Sequence, residues 1–141
     1  MSAHVPRLCR LFTAEYVKRI NAQIVHPAQS VIVKPNELES ALARPLHLAY
    51  YEPEKRATYY GATLSYGIIK GHPFMDGNKR TAFFLANEYI RAMGVPGLAD
   101  QGKLGNVYGT AVALAERHME VAAGKLDLEG LAEGMKDMED S

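Results

Sequence analysis

At 141 residues the chain can bury one core of its own, and no break in composition divides it, so a single domain over residues 1–141 is expected. Sixteen basic residues balance sixteen acidic ones, which removes any whole-surface attraction to nucleic acid or to a membrane. The one cysteine, Cys9, excludes an internal disulfide and a zinc-ribbon site, and neither a spanning run nor the apolar core of a signal peptide is present, which points to a cytoplasmic protein.

Residues 1–12 read as a lead-in, with a strand over Arg7 to Phe12. Thr13 then suits the N-cap of a helix over Ala14 to Val25, whose apolar positions are Val17, Ile20, Ala22 and Ile24 and which His26-Pro27 ends. Ala28 to Lys34 is a loop with some extended character. Pro35 can open the next helix, with Leu38, Ala41 and Leu42 facing inward, and Pro45 is expected to stop it. From Leu46 to Pro53 the chain is aromatic, with Tyr50 and Tyr51 adjacent; His47 here, like His26, is better read as structural than as chemical.

Ala57, Tyr60, Gly61, Leu64 and Ile68 recur at helical spacing until Gly71-His72-Pro73, where proline disfavours a helical residue before it. Ala82, Phe83, Ala86, Tyr89, Ile90 and Met93 form a second apolar stripe that ends at Gly94, a natural left-handed cap. Gly94 to Gly105 reads as a loop. Val107 to Ala123 reads as a further helix with His118 on its surface or boundary, and Asp127 caps a last helix through Met135, before a frayed acidic tail over residues 136–141. The fold class is all-α.

Between the two strongest helices lies His72-Pro-Phe-Met-Asp-Gly-Asn-Lys-Arg80. Gly77 and Asn78 precede the second helix, where backbone N–H groups and the helix dipole favour an anion. Lys79 and Arg80 add two cations at the same helix end, an unfavourable placement unless something negative is bound, and phosphate is the obvious candidate, gripped by Arg80 through parallel bonds. Asp76 suits a magnesium ion beside polyphosphate. His72 supplies an imidazole, the side chain that most readily exchanges a proton near neutral pH. Each residue alone has an ordinary structural reading, as a loop histidine, a turn aspartate or a solvated helix start. Their combination at this spacing points instead to transfer of part of a nucleotide to a hydroxyl. A P-loop is excluded, because Asn78 intervenes before the lysine and arginine replaces the hydroxyl residue.

The stretch resembles the signature of the Fic/Doc family, H-P-F-x-[D/E]-G-N-[G/K]-R, at every specified position, and Lys79 resembles the Doc (death on curing) branch, while Pro73 and Gly77 follow the general Fic form. Leu38 to Pro45 and Val121 to Ala132 also resemble segments of Doc-like chains. The resemblance implies an all-α, single-domain Fic/Doc fold with a central motif loop and helix and a short flap, placed at Leu46 to Pro53, that aligns the target's backbone. It implies that His72 deprotonates the target's hydroxyl, that Asp76 binds magnesium, that Gly77, Asn78 and Lys79 form the anion loop, and that Arg80 holds the phosphates of ATP and counts with His72 as catalytic. Phe74 is implied to be a core anchor. Lysine at position 79 goes with phosphorylation of a target protein, with a translation factor as the suggested target; glycine there goes with AMP transfer, the alternative reaction. A catalytically inactive nucleotide- or protein-binding module is the third reading. The inhibitory pattern [S/T]-x-x-x-E-[G/N] is not recognisable, since Glu129-Gly130 and Glu133-Gly134 have Lys125 and Glu129 where Ser or Thr is needed, so restraint is expected from an antitoxin-type partner.

Overall fold

The computed structural model describes residues 4–94, 117, 118, 120, 121 and 123–132. Five helices lead the chain: α1 (Val5–Leu11), α2 (Ala14–Val25), α3 (Pro35–Tyr51), α4 (Ala57–Gly71) and α5 (Asn78–Ala92). Helix α4 is the centre, because its apolar residues alternate with small ones instead of charged ones, and twelve of its fifteen residues are buried. A Cβ at Gly61 would lie 2.8 Å from Cγ1 of Ile90 on α5, and one at Gly67 would lie 2.9 Å from Cβ of Ala41 on α3. These two positions let the neighbouring helices close on α4 from both sides. The expectations for α4 and α5 agree with these bounds, and the all-α class holds.

Helix α2 starts where expected, with the Thr13 hydroxyl accepting the Tyr16 N–H at 3.2 Å. Its buried residues are Val17, Asn21 and Val25, so the inward face includes a polar side chain that the apolar pattern passes over.

Four expectations, on the lead-in, Pro45, the flap and His118, are corrected. Residues 5–11 are helical and not a strand: Val5 and Leu8, with Phe12 beyond, recur at i, i+3 and i+7 and are buried, and Phe12 packs against Tyr89 at 5.1 Å between ring centroids. Pro45 does not stop α3. It lies inside the helix on the buried stripe formed with Leu38 and Ala41, where burial works against the loss of the hydrogen bond that a proline removes, a cost of about 3 kcal/mol. Leu46 to Tyr51 therefore complete α3, and the flap expected at 46–53 is not there. Tyr50 and Tyr51 project from the helix end, 82% and 79% exposed.

Extended backbone occurs instead at Val31–Val33, where Ile32 bridges antiparallel to Phe74. The expected helix over Val107 to Ala123 and the loop before it lie almost wholly outside the described residues, as do Met135 and the tail. Of that region, His118 is buried and not at the surface: it is 1% exposed, its Nε2 lies 3.2 Å from the Ser65 hydroxyl and its ring meets Phe83 edge-on. Asp127 does cap the last described turn, its Oδ1 accepting the Gly130 N–H at 2.9 Å. Among the described residues no helix is long and apolar enough to cross a membrane.

Candidate active site

Helix α4 runs out at Gly71, and His72 takes the left-handed conformation, φ 51° and ψ 53°, while its N–H still bonds the Ile68 carbonyl at 3.0 Å. For a residue with a Cβ this costs about 1–2 kcal/mol, so the surrounding structure must hold it. It does so on the far side of Pro73, whose carbonyl accepts N–H bonds from Val33 at 2.7 Å and Lys34 at 3.1 Å, while the Met75 N–H bonds the Val31 carbonyl at 2.9 Å. The Phe74 ring between them is fully buried, the anchor expected of it.

The loop is closed from within by Asn78. Its Oδ1 accepts the Phe74 N–H at 3.0 Å and its Nδ2 donates to the Phe74 carbonyl at 2.8 Å, so the side chain shapes the loop. What Asn78 offers a ligand is its backbone N–H. Gly77 turns the chain into α5 with φ 77°, and a Cβ there would stand 2.7 Å from Val25 Cγ1, so both the backbone angle and the packing of α2 require glycine.

The first bond of α5 runs from the Thr81 N–H to the Gly77 carbonyl at 2.8 Å, which leaves the N–H groups of Asn78, Lys79 and Arg80 without a partner in the helix. No acidic residue in the first turn of α5 offsets Lys79 and Arg80, so dipole and side chains attract an anion together. Arg80 is exposed and donates from Nη1 to the Ile24 carbonyl at 3.2 Å, which holds the guanidinium against α2 with other N–H groups still available. The Asp76 carboxylate accepts the Gly77 N–H through Oδ1 at 2.8 Å, leaving Oδ2 without a hydrogen bond among the described residues. His72, Asp76, Gly77, Asn78, Lys79 and Arg80, all six residues expected at the site, line one pocket of about 490 Å³ with Ile69 and Met75.

The model of the Fic/DOC family matches residues 11–90, more than half of the chain, from the end of α1 almost to the end of α5. The chain belongs to the Fic/DOC family. No curated protein matches it significantly. Fic/DOC proteins generally transfer phosphate-containing groups to proteins, use ATP and a divalent metal, and typically pair with antitoxins. The site of this Fic/DOC chain fits such ligands on its own chemistry. Three N–H groups and two cations meet the charge of a phosphate chain. No group of three or more His, Cys, Asp and Glu side chains gathers among the described residues, and Asp76 is the one carboxylate lining the pocket. One carboxylate completed by phosphate oxygens and water is a usual ligand set for magnesium.

Three residues that support this site, Asn21, Ser30 and Thr81, escaped the sequence reading. Asn21 donates from Nδ2 to the Asp76 carbonyl at 2.9 Å and to the Thr81 hydroxyl at 3.1 Å, and its Oδ1 accepts the Ser30 hydroxyl at 2.7 Å. The only trace in the sequence is a polar residue midway between Val17 and Val25 at a spacing of four. Glu129 lies in a different cavity, with Glu54, Lys55 and Arg56, and accepts the Tyr59 hydroxyl at 2.6 Å. Burial first, and then that bond and the nearby negative charge of Glu129 and Glu52, push the Tyr59 phenol up to about 12.

Proposed function

We propose that this protein transfers a phosphoryl group from ATP to a hydroxyl on a target protein. The observation that carries the reading is the convergence of an exposed imidazole, one carboxylate and three unpaired helix-start N–H groups on a single pocket, held there by a left-handed His72 and a left-handed Gly77. In this reading His72 takes the proton of the attacking hydroxyl, the backbone of Asn78, Lys79 and Arg80 binds phosphate oxygens, and Arg80 grips the phosphate chain and stabilises the charge that develops in transfer. Asp76 would hold magnesium, which supplies neutralisation of phosphate charge when bound. Lysine at position 79 favours phosphate over AMP as the transferred group, as it does in the Doc form of the motif.

The acceptor is read as a Ser, Thr or Tyr side chain on an extended segment. Among the described residues the Ile32 N–H and C=O have no backbone partner, and the flanking bonds of the bridge to Phe74 turn both groups to the open side. In this reading Val31–Val33 serves as the flap, in place of Leu46 to Pro53, and a target strand would add to its open edge. Restraint by an antitoxin-type partner belongs to the same reading.

The experiment is a separation of binding from transfer. His72→Ala should abolish transfer and leave MgATP affinity within about twofold, whereas Arg80→Ala should weaken both, with binding falling about tenfold or more for the loss of a charge-assisted contact. Equal transfer by the wild-type protein and His72→Ala would remove the base, and with it the mechanism.

A further inference from the structure

We propose that Asn21 is a positioning residue for the metal and phosphate side of the site, and that it ties this side to the segment on which the acceptor docks; the inference rests on the transferase reading. The amide of Asn21 is 1% exposed and forms three hydrogen bonds: its two N–H donors go to the Asp76 carbonyl and the Thr81 hydroxyl, and its oxygen takes the Ser30 hydroxyl. Thr81 is fully buried and Ser30 is 8% exposed. Water therefore offers these groups no easy substitute, and each bond counts at close to its full strength.

The placement of those partners gives the network its role. Asp76 stands just before the Gly77 turn, and Thr81 makes the first hydrogen bond of α5, so one amide fixes both ends of the peptide run that presents the three free N–H groups. Holding the Asp76 backbone also limits where its carboxylate can point, since Oδ1 is already bound to the Gly77 N–H. Groups that orient a metal ligand commonly change metal affinity about 10–100-fold when removed, without touching the ion. On the other side, Ser30 leads directly into Val31–Val33, which bonds the motif loop through Met75 and Pro73. Asn21 thus joins α2, the docking segment, the metal loop and α5 at a single side chain.

The test compares ATP affinity with and without magnesium for the wild-type protein, Asn21→Ala and the milder Ser30→Ala, together with amide hydrogen exchange of the ligand-free proteins. The wild-type protein should bind ATP more tightly with magnesium. In Asn21→Ala that magnesium increment should shrink about tenfold, beyond any loss of magnesium-free affinity from the loosened phosphate-binding run, and in Ser30→Ala it should shrink by a smaller factor. Exchange at the Met75 and Thr81 amides should quicken in both variants, with α3 amides unchanged. Equal proportional loss with and without magnesium would make Asn21 a general structural residue and overturn the proposal, as would unchanged exchange at Met75 and Thr81. A wild-type protein whose ATP affinity ignores magnesium would instead overturn the transferase reading, while the exchange data still decide whether Asn21 holds the loop.

Discussion

Gly77→Ala is the sharpest perturbation of the site, because two independent penalties meet at one methyl group. The backbone stands at φ 77°, where a residue with a Cβ costs about 1–2 kcal/mol, and the added carbon would lie 2.7 Å from Val25 Cγ1 and 3.2 Å from Asn21 Nδ2. Relieving that contact requires α2 or the loop to move, which in a packed interior costs about 1–3 kcal/mol. The expected destabilisation is therefore about 2–5 kcal/mol, a fall in melting temperature on the order of 10 °C. Urea unfolding measures it, and ATP binding measures whether the loop has shifted. Val25→Ala in the same chain separates the penalties: the double variant should recover the steric part, a coupling of about 1–3 kcal/mol, and keep the backbone part. A Gly77→Ala protein that loses less than about 1 kcal/mol and binds ATP normally would refute both the conformational and the packing argument.

Other consequences follow from the same geometry. Asn78→Ala leaves the buried Phe74 N–H and carbonyl without their side-chain partner, which should cost about 2–4 kcal/mol in denaturant unfolding and weaken ATP binding as the loop loosens. Lys79→Gly should change the transferred group from phosphate to AMP, read as the mass of the adduct; continued phosphate transfer would deprive Lys79 of its role. Burial raises the phenols of Tyr16, Tyr60 and Tyr89, and Tyr59 rises to about 12, all above the ordinary value near 10 of an unfolded chain. The neutral phenols thus contribute stability that is whole below pH 10 and lost as pH climbs through the folded values, so the urea midpoint should fall between pH 10 and 12. Tyr89→Phe removes a buried hydroxyl that has no partner among the described residues and should raise stability by about 1 kcal/mol at neutral pH.

The parts of the fold that were legible in the sequence are those where local pattern and tertiary demand agree. Helices α4 and α5 carry clear apolar periodicity, Gly71-His72-Pro73 breaks the chain between them, and the loop between them sets its own shape through Gly77 and Asn78. Apart from the lead-in, whose helical spacing of Val5, Leu8 and Phe12 was local, the misreadings share one cause, a long-range contact that overrides a local preference. Pro45 should end a helix, yet it is buried on the α3 stripe with Leu38 and Ala41, and the helix runs on through it. That extension consumed the residues expected to form a flap, while Val31–Val33 took the extended role because Pro73 and Met75 offered it partners. His118 looked like a surface residue because its partner, Ser65, is far away in sequence. Asn21 was invisible for the same reason: its three partners lie at positions 30, 76 and 81, and only the folded chain gathers them. The six motif residues, by contrast, needed no distant partner to be found.

The measurement that bears most directly on the central claim is the mass of proteins in a lysate of the source cells after incubation with this protein, ATP and magnesium, with His72→Ala as the control. The account predicts a target protein heavier by one phosphate with the wild-type protein and unchanged with His72→Ala. An adduct of AMP would keep the site and reverse the nucleotide, and an equal adduct with both proteins, or none with either, would contradict the account.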